Sequence, residues 1–267
     1  MECFDLLDDW PVDHVAAAVV GGDGVVRRHG PTDRAFPLAS VTKLLTAMAA
    51  LVAHEEETLP LDESVTTEGA TAADLLAHSG GIAPDEPIPM TLPRTRRIYS
   101  TAAYEIIADR IADRSEMPFA EYLREAVVEP LELQATHLDG SAGAGAQASV
   151  DDLVRVAAAW ISPLLVHQTT LDRATTPHLG ELSGVLPGFG RQDPNPWGLG
   201  PEIRGRKHPH WTADANSPAT FGHFGQSGTM LWIDPVAGVI AIALTDRDFG
   251  DWAVDAWPRF SAAALET

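Results

Sequence analysis

β-Strand patterns at both ends of the chain, with helical patterns between them, constrain the fold more than any other feature of this sequence. Residues 14–20 and 25–26 are short β-capable runs around the Gly-rich turn at 21–24, which predicts a β-hairpin. Residues 229–233 and 239–244 flank a second turn, which contains Pro and Gly, in the same way. Strands separated by a mostly helical middle predict an α+β fold in which both chain ends contribute to one antiparallel sheet.

Helical patterns fill much of the remaining chain. Residues 44–53 carry no charge, so we predict a helix that is buried on nearly all sides. Thr71 and Ser149 are each followed three residues later by Asp, a capping-box pattern that predicts a helix start. The stretch 180–218 is rich in Pro and Gly, and we expect it to loop over the surface. Further helices are predicted over 102–114, 119–127 and 252–265.

The length and composition predict one large domain. With 267 residues, of which 45% are hydrophobic and 21% charged, the chain can bury a sizeable core. We predict a single domain over residues 1–267, with an α/β lobe formed by about 1–60 and 215–267. Residues 61–214 would form a mostly helical second lobe, and we expect the functional site in the cleft between the lobes.

The charge balance argues against two classes of partner. The chain has 38 Asp and Glu against 18 Lys and Arg, a formal net charge of −20, which repels nucleic acids and anionic membrane surfaces. We therefore expect no nucleic-acid or membrane partner. The single cysteine, Cys3, excludes an intramolecular disulfide and a cysteine-built metal cluster. Residues 1–5 lack the basic start and apolar run of a secretory signal, so we expect a cytoplasmic protein.

Ser40 and Lys43 are the first candidate catalytic pair. Side chains three residues apart project from one face of a helix, and a serine hydroxyl needs an adjacent base to act as a nucleophile. Lysine becomes such a base when burial lowers its pKa, whereas arginine keeps its proton. The chain has only two lysines, Lys43 and Lys207, beside 16 arginines, and one of the two lies in the apolar helix. The alternative interpretation is a helix-cap serine beside a lysine that extends to solvent.

Four segments together resemble a known family. Residues 36–43, FPLASVTK, contain the Ser-x-x-Lys pair and resemble the nucleophile motif of the serine β-lactamase and penicillin-binding-protein superfamily. Residues 99–101, YST, resemble its Tyr-x-Asn element, and residues 223–225, HFG, resemble its Lys/His-x-Gly strand motif. Residues 74–81 resemble a structural segment of the same proteins. The similarity is closest to the branch of class C β-lactamases, D-alanyl-D-alanine carboxypeptidases and esterases, and it implies a β-lactamase-like catalytic domain.

The resemblance implies a role for each motif residue. Ser40 is then the nucleophile and Lys43 its principal base, while Tyr99 relays a proton to the leaving group. His223 stands where β-lactamases of this branch usually carry a lysine. The backbone N–H groups of Ser40 and Gln226 form the oxyanion hole, and neither a cofactor nor a metal is implied.

The substrate-binding residues that the resemblance implies are Thr101, Phe224 and Gly225. Thr101 replaces the usual asparagine, and so removes an amide that can both donate to and accept from a substrate. Phe224 replaces a small hydroxyl residue that typically contacts a substrate carboxylate. These departures favour a serine hydrolase that acts through an acyl-enzyme on a small ester or amide, rather than an efficient β-lactamase.

Several of these residues also have a purely structural interpretation. Tyr99 can be a half-buried aromatic residue at a helix start, and His223 a hydrogen-bonded strand histidine. We interpret His78 as structural. Two basic segments, 94–97 and 204–207, are interpreted mainly as solvated loops that pair with the protein's own carboxylates, although the first could present a guanidinium to an anionic substrate.

Two other classes of function stay open at this point. A metal-dependent hydrolase would use His208 and His210 together with His223 or Asp214 as ligands, a reading that the flanking Pro and Arg residues disfavour. A catalytically inactive binding protein would keep the fold without turnover, and the departures at Thr101 and Phe224 favour that alternative.

Overall fold

A six-stranded antiparallel sheet, built from both ends of the chain, is the centre of the fold. The computed structural model describes residues 3–267, so the first two residues of the predicted domain, which also belong to the segment 1–5 discussed above, lie outside the described residues. The strands are β1 (Val15–Val20), β2 (Val26–His29), β3 (Phe36–Pro37), β4 (His137–Leu138), β5 (Ala146–Ala148), β6 (Gly184–Leu186), β7 (Gly190–Gln192), β8 (Glu202–Ile203), β9 (Phe221–Gly225), β10 (Thr229–Asp234) and β11 (Val239–Thr245). The large sheet has the order β2-β1-β11-β10-β9-β8. The α+β prediction is therefore confirmed.

The helices lie on both faces of this sheet and in the middle of the chain. They are α1 (Thr42–Glu55), α2 (Ala72–Leu76), α3 (Ala102–Ser115), α4 (Phe119–Leu123), α5 (Val150–Ile161), α6 (Gln168–Ala174) and α7 (Asp251–Leu265), with short 3₁₀ helices at Cys3–Asp9 and Ala39–Val41 and a π-helical turn at Arg124–Val128. Among the described residues, none of these helices combines the length and the apolar character needed to cross a membrane.

The alternation of side chains along the central strands creates two hydrophobic cores. In β1, Ala16 and Ala18 pack into the core around α1, whereas Ala17 and Val19 pack into the core around α7. β11 is buried along its whole length and pairs with β1 in antiparallel register, with Ala17 opposite Ala243. A sheet covered on both faces needs apolar residues at every position, which explains the continuous apolar runs at the two chain ends.

The predicted helices form close to their expected bounds. Eleven of the fourteen residues of α1 are buried, as the uncharged run predicts. Thr71 caps α2 with a complete capping box, in which its side chain accepts from the Asp74 N–H and Asp74 reciprocates. Ser149 caps α5 by accepting a hydrogen bond from the backbone N–H of Asp152.

The expectation that residues 180–218 form a surface loop is wrong. This segment contributes β6, β7 and the edge strand β8, and it buries Trp197 and Trp211 at 2% and 1% exposure. It also buries a charged pair, Glu202 and Lys207, which satisfy each other's hydrogen-bonding groups. A composition rich in Pro and Gly predicts chain reversals, but it does not indicate whether the residues between those reversals are buried.

Candidate active site

Ser40 lies in the short 3₁₀ turn that leads into α1. The first residue of this turn, Ala39, is strained: its φ of 44° lies in the left-handed region that non-glycine residues seldom adopt. Strand β9 approaches this turn very closely: a Cβ on Gly225 would lie 2.2 Å from the Leu38 carbonyl oxygen and 2.5 Å from Thr229 Oγ1. Glycine at 225 therefore allows the strand to pack against the turn that carries Ser40.

Lys43 is completely buried beside Ser40. Its Nζ lies 3.3 Å from Ser40 Oγ, 3.2 Å from Thr101 Oγ1 and 2.9 Å from the Gly143 carbonyl oxygen. Burial lowers the pKa of Lys43 to about 7, and the carboxylates of Glu105 and Asp85 oppose that decrease. The alternative in which Lys43 extends to solvent is wrong. The amine is positioned to exchange a proton with Ser40, and a large fraction of it is neutral near pH 7.

Glu105 organises the loop that supplies one of these contacts. Its carboxylate accepts hydrogen bonds from Ser141 Oγ at 2.5 Å and from the backbone N–H groups of Ala142 and Gly143 at 3.2 Å each. The Gly143 carbonyl is thereby directed at Lys43. Glu105 was not predicted from the sequence, although it follows Thr101 by four residues and so shares a face of α3 with it.

Tyr99 lies next to Lys43, whose Nζ is 4.8 Å from the centre of the phenol ring, and His223 lies beside Tyr99. His223 Nδ1 is 2.7 Å from the Phe224 carbonyl oxygen, which can only accept, so Nδ1 carries the proton. The other ring nitrogen, Nε2, then presents a lone pair to the Tyr99 hydroxyl 3.5 Å away. Burial, reinforced by the charge of Lys43, lowers the pKa of His223 to about 3, so the imidazole is neutral at physiological pH.

The phenol of Tyr99 stays protonated. Burial raises the pKa of Tyr99 well above its ordinary value, and a hydrogen bond with Ser40 only partly opposes this. Two rings hold the phenol in place: the His78 ring centroid is 4.6 Å and the Trp197 centroid 5.7 Å from that of Tyr99. His78 Nδ1 also accepts the backbone N–H of Ser100, which agrees with its structural interpretation.

A cavity of about 180 Å³ opens beside Ser40. Phe224 and Gln226 line it, whereas Thr101 and Gly225 do not. Ser40 and Gln226 both line the cavity, and their backbone N–H groups donate to no backbone carbonyl within residues 3–267, so both N–H groups are available to a ligand. Of the three predicted substrate-binding residues, only Phe224 is a wall of the cavity.

A buried polar network forms a further wall that sequence reasoning missed. Glu202, which lines the cavity, accepts hydrogen bonds from Lys207, from His210 Nε2 at 3.0 Å and from Trp211 Nε1 at 2.9 Å. The Lys207 ammonium also donates hydrogen bonds to backbone carbonyl oxygens, including that of Ile203 at 2.7 Å. The only two lysines of the chain are thus both buried, and the basic segment 204–207 is not a solvated loop.

The histidines proposed as metal ligands do not converge. The side chain of His208 is 74% exposed and lies 3.3 Å from Asp214, whereas His210 is buried against Glu202. Within residues 3–267, no three His, Cys, Asp or Glu side chains are grouped as a metal site would require.

Comparisons with known proteins identify the family of the chain. The sequence profile of the β-lactamase family matches residues 12–266. A solved structure of a β-lactamase from Mycobacterium bovis is 47% identical to the chain and superposes with a TM-score of 0.96, covering 99% of this chain and 98% of that one. A sequence search of curated proteins found no match.

More distant solved structures share the fold. A mutant simvastatin synthase from Aspergillus terreus has a TM-score of 0.80 at 15% identity, covering 99% of this chain and 93% of that one. The hydrolase EstCE1, described as having promiscuous acyltransferase activity, has a TM-score of 0.78 at 15% identity, covering 98% and 96%. With its profile match over nearly the whole chain and a relative of 47% identity, the protein belongs to the β-lactamase family.

Proposed function

We propose that the protein is a serine hydrolase that acts through an acyl-enzyme on a small ester or amide, with esters favoured. The observation that carries the proposal is the placement of Lys43 Nζ 3.3 Å from Ser40 Oγ in a fully buried position. A pKa of about 7 gives this amine the property that a general base needs near neutral pH.

In the acylation step, Ser40 Oγ attacks the substrate carbonyl while neutral Lys43 accepts the hydroxyl proton. The negative charge that develops on the carbonyl oxygen is stabilised by the free N–H groups of Ser40 and Gln226. Collapse of the intermediate breaks the bond to the leaving group. Tyr99 then donates its proton to the departing oxygen or nitrogen and is reprotonated by the Lys43 ammonium.

Tyr99 acts in this scheme as a proton donor rather than as a phenolate base. Ionising an ordinary tyrosine at pH 7 already costs about 4 kcal/mol, and burial makes ionisation less favourable still. Neutral His223, with its Nε2 lone pair 3.5 Å from the phenol oxygen, orients the hydroxyl without adding charge. In deacylation, water takes the place of the leaving group and the same groups act in reverse.

The shape of the cavity supports esters over β-lactams. Phe224 fills part of a cavity of about 180 Å³ and provides no hydroxyl for a substrate carboxylate. The Thr101 hydroxyl is engaged by Lys43 at 3.2 Å and does not line the cavity. β-Lactam hydrolysis is the second candidate, because the Mycobacterium bovis relative is described as a β-lactamase.

Labelling with a serine-directed p-nitrophenyl phosphonate tests the proposal. We expect one phosphonyl group per chain, located on Ser40 by peptide mass spectrometry, and no label in Ser40→Ala. Ser162→Ala, which changes a serine outside the site, is the matched control and should label like the wild type. A folded wild-type protein that resists labelling would instead support the inactive binding protein.

Substrate preference is tested separately with p-nitrophenyl acetate and a chromogenic cephalosporin. We expect kcat/KM to be higher for the ester. A preference of tenfold or more for the cephalosporin, which corresponds to about 1.4 kcal/mol in transition-state binding, would replace the ester assignment with β-lactam hydrolysis.

A further inference from the structure

A second, larger cavity adjoins the one beside Ser40. It has a volume of about 510 Å³ and shares Tyr99 and Pro187 with the smaller cavity, so the two cavities are adjacent. Ile98 and Val185 provide further apolar lining. The side chain of Val185 is 59% exposed and adds apolar surface to the groove.

Only one guanidinium of the basic segment 94–97 is available in this groove. Arg94 pairs with Asp74 at 2.6 Å. Arg97 is buried, and its guanidinium donates to four backbone carbonyl oxygens. Arg96 lines the groove, is exposed, and makes no hydrogen bond or ion pair to any residue within 3–267.

A second cation, Arg191, lines the same groove. It is 3.5 Å from Asp193, and both side chains are mostly exposed, so the pairing is weak. None of the residues that line the groove is acidic. The chain as a whole has a net charge of −20 and repels anions. This apolar groove differs from the rest of the surface, because it offers two available guanidinium groups and has no carboxylate on its walls.

The position of Tyr99 indicates which part of a substrate reaches the groove. Under the proposed function, Tyr99 protonates the leaving group, so the leaving group must depart on the side of Ser40 where Tyr99 lies. The groove begins at Tyr99 and extends away from the smaller cavity that Phe224 and Gln226 line. The acyl group then occupies the small cavity, and the leaving group occupies the groove.

We propose that the leaving group of the substrate is an extended apolar alcohol with an anionic end, and that Arg96, assisted by Arg191, binds this anion. The inference rests on the proposed function, because it uses Tyr99 as the donor to the leaving group. In the reaction, the bond between Ser40 Oγ and the acyl carbon forms while the ester bond breaks. The released alcohol keeps its anionic end and gains the Tyr99 proton, while the Ser40 proton passes through Lys43 to Tyr99. Water then hydrolyses the acyl-enzyme.

Two substrates that differ only in charge test the inference. These are the acetate esters of ω-hydroxyoctanoate and of ω-hydroxyoctanamide, with acetate release as the measurement. We expect kcat/KM to be about tenfold higher for the anionic ester at low salt, and the preference to shrink in high salt. Arg96→Gln should raise KM for the anionic ester about fivefold and leave the amide-tailed ester within twofold. Arg206→Gln, which changes an exposed arginine outside the groove, is the matched control.

Calorimetric titration of the two free alcohols into the wild type and Arg96→Gln gives a readout that does not need turnover. We expect ω-hydroxyoctanoate to bind more tightly than ω-hydroxyoctanamide, and Arg96→Gln to remove the difference. If both esters are hydrolysed equally and both alcohols bind equally, the proposed function stands and this inference is wrong. If neither ester is hydrolysed but the anionic alcohol still binds through Arg96, the anion site stands and the proposed hydrolase function fails.

Discussion

Lys43 is buried beside Ser40 with a pKa near 7, so its charge changes within the pH range in which enzymes are assayed. Only the neutral amine can accept the Ser40 proton, so kcat/KM should rise with pH through a midpoint near 7. Glu105→Gln should move that midpoint to lower pH, because the Glu105 carboxylate raises the pKa of Lys43 and the amide oxygen can still hold the loop. The measurement is a pH profile of ester hydrolysis, with the exposed Glu181→Gln as control. Identical midpoints for wild type and Glu105→Gln would contradict the effect of the Glu105 carboxylate on the pKa of Lys43.

The lowered pKa of Lys43 also makes the free energy of unfolding depend on pH. The ordinary pKa of 10.5 applies to the unfolded chain, so between pH 7 and 10.5 the unfolded state binds more protons than the folded state. The free-energy cost of burying the charged Lys43 amine is therefore largest below pH 7, and it decreases as the pH rises. Relative to Lys43→Met, the wild type should gain about 2.5 kcal/mol of unfolding free energy between pH 6 and pH 9. Urea unfolding of both proteins at the two pH values measures this, and a pH-independent difference would argue against a lowered pKa.

Lys43→Arg separates the charge of this residue from its ability to lose a proton. Arginine keeps the positive charge but cannot become neutral, so kcat should fall by about 10²- to 10⁴-fold. The larger guanidinium must fit a packed position, so some loss of thermal stability is expected. Thermal melting beside the kinetics distinguishes a folded, inactive enzyme from an unfolded one. Activity within about threefold of the wild type would remove Lys43 from the role of base.

Contacts in the site between residues that are close in sequence could be predicted, whereas contacts between residues far apart in sequence could not. Ser40 and Lys43 are three residues apart, so one helix turn is enough to place them together. The Gly143 carbonyl lies 100 residues away from Lys43, and its contact depends on how the loop at 141–143 folds back onto Glu105. No periodicity or spacing in the sequence reports such a contact.

At the scale of elements, the close approach of β9 to the nucleophile turn is the most sensitive contact. Gly225→Ala places a Cβ 2.2 Å from the Leu38 carbonyl oxygen, and two backbone segments cannot both keep their positions. We expect kcat/KM to fall at least tenfold, because the Gln226 N–H moves away from Ser40, together with a lower melting temperature. Gly250→Ala is the control: its new Cβ would meet nothing nearer than Trp252 Cδ1 at 4.0 Å. Full activity in Gly225→Ala would contradict the assigned geometry.

The elements that were predicted correctly are those with a strong local signal. The two terminal hairpins have apolar runs around Gly-containing turns, and α1 has a long uncharged run. The segment 180–218 was misassigned because its Pro, Gly and charged residues are typical of surface loops. Glu202 and Lys207 are buried nevertheless, because they pair with each other and with neighbouring polar groups.

At the scale of the whole molecule, the sheet joins the two chain ends and thereby assembles the site. Ser40 lies after the N-terminal hairpin, Tyr99 just before α3, and His223 on β9. These three residues meet only because β9 and the nucleophile turn pack together beside the helical middle of the chain. Their order along the chain and the resemblance to a known superfamily were enough to predict the fold. The walls formed by Trp197 and Glu202 follow from packing that only the structure reports.

Titration of Lys43 in the folded protein shows whether this amine can act as the base that activates Ser40. The chain contains only two lysines, so protein labelled with isotopic lysine gives two side-chain amine signals by NMR, and Lys43→Met assigns them. We expect the Lys43 amine to titrate near pH 7, at the same midpoint as the rise in kcat/KM. A Lys43 amine that stays charged above about pH 9, while the enzyme is fully active at pH 7, would contradict its role as the base that activates Ser40.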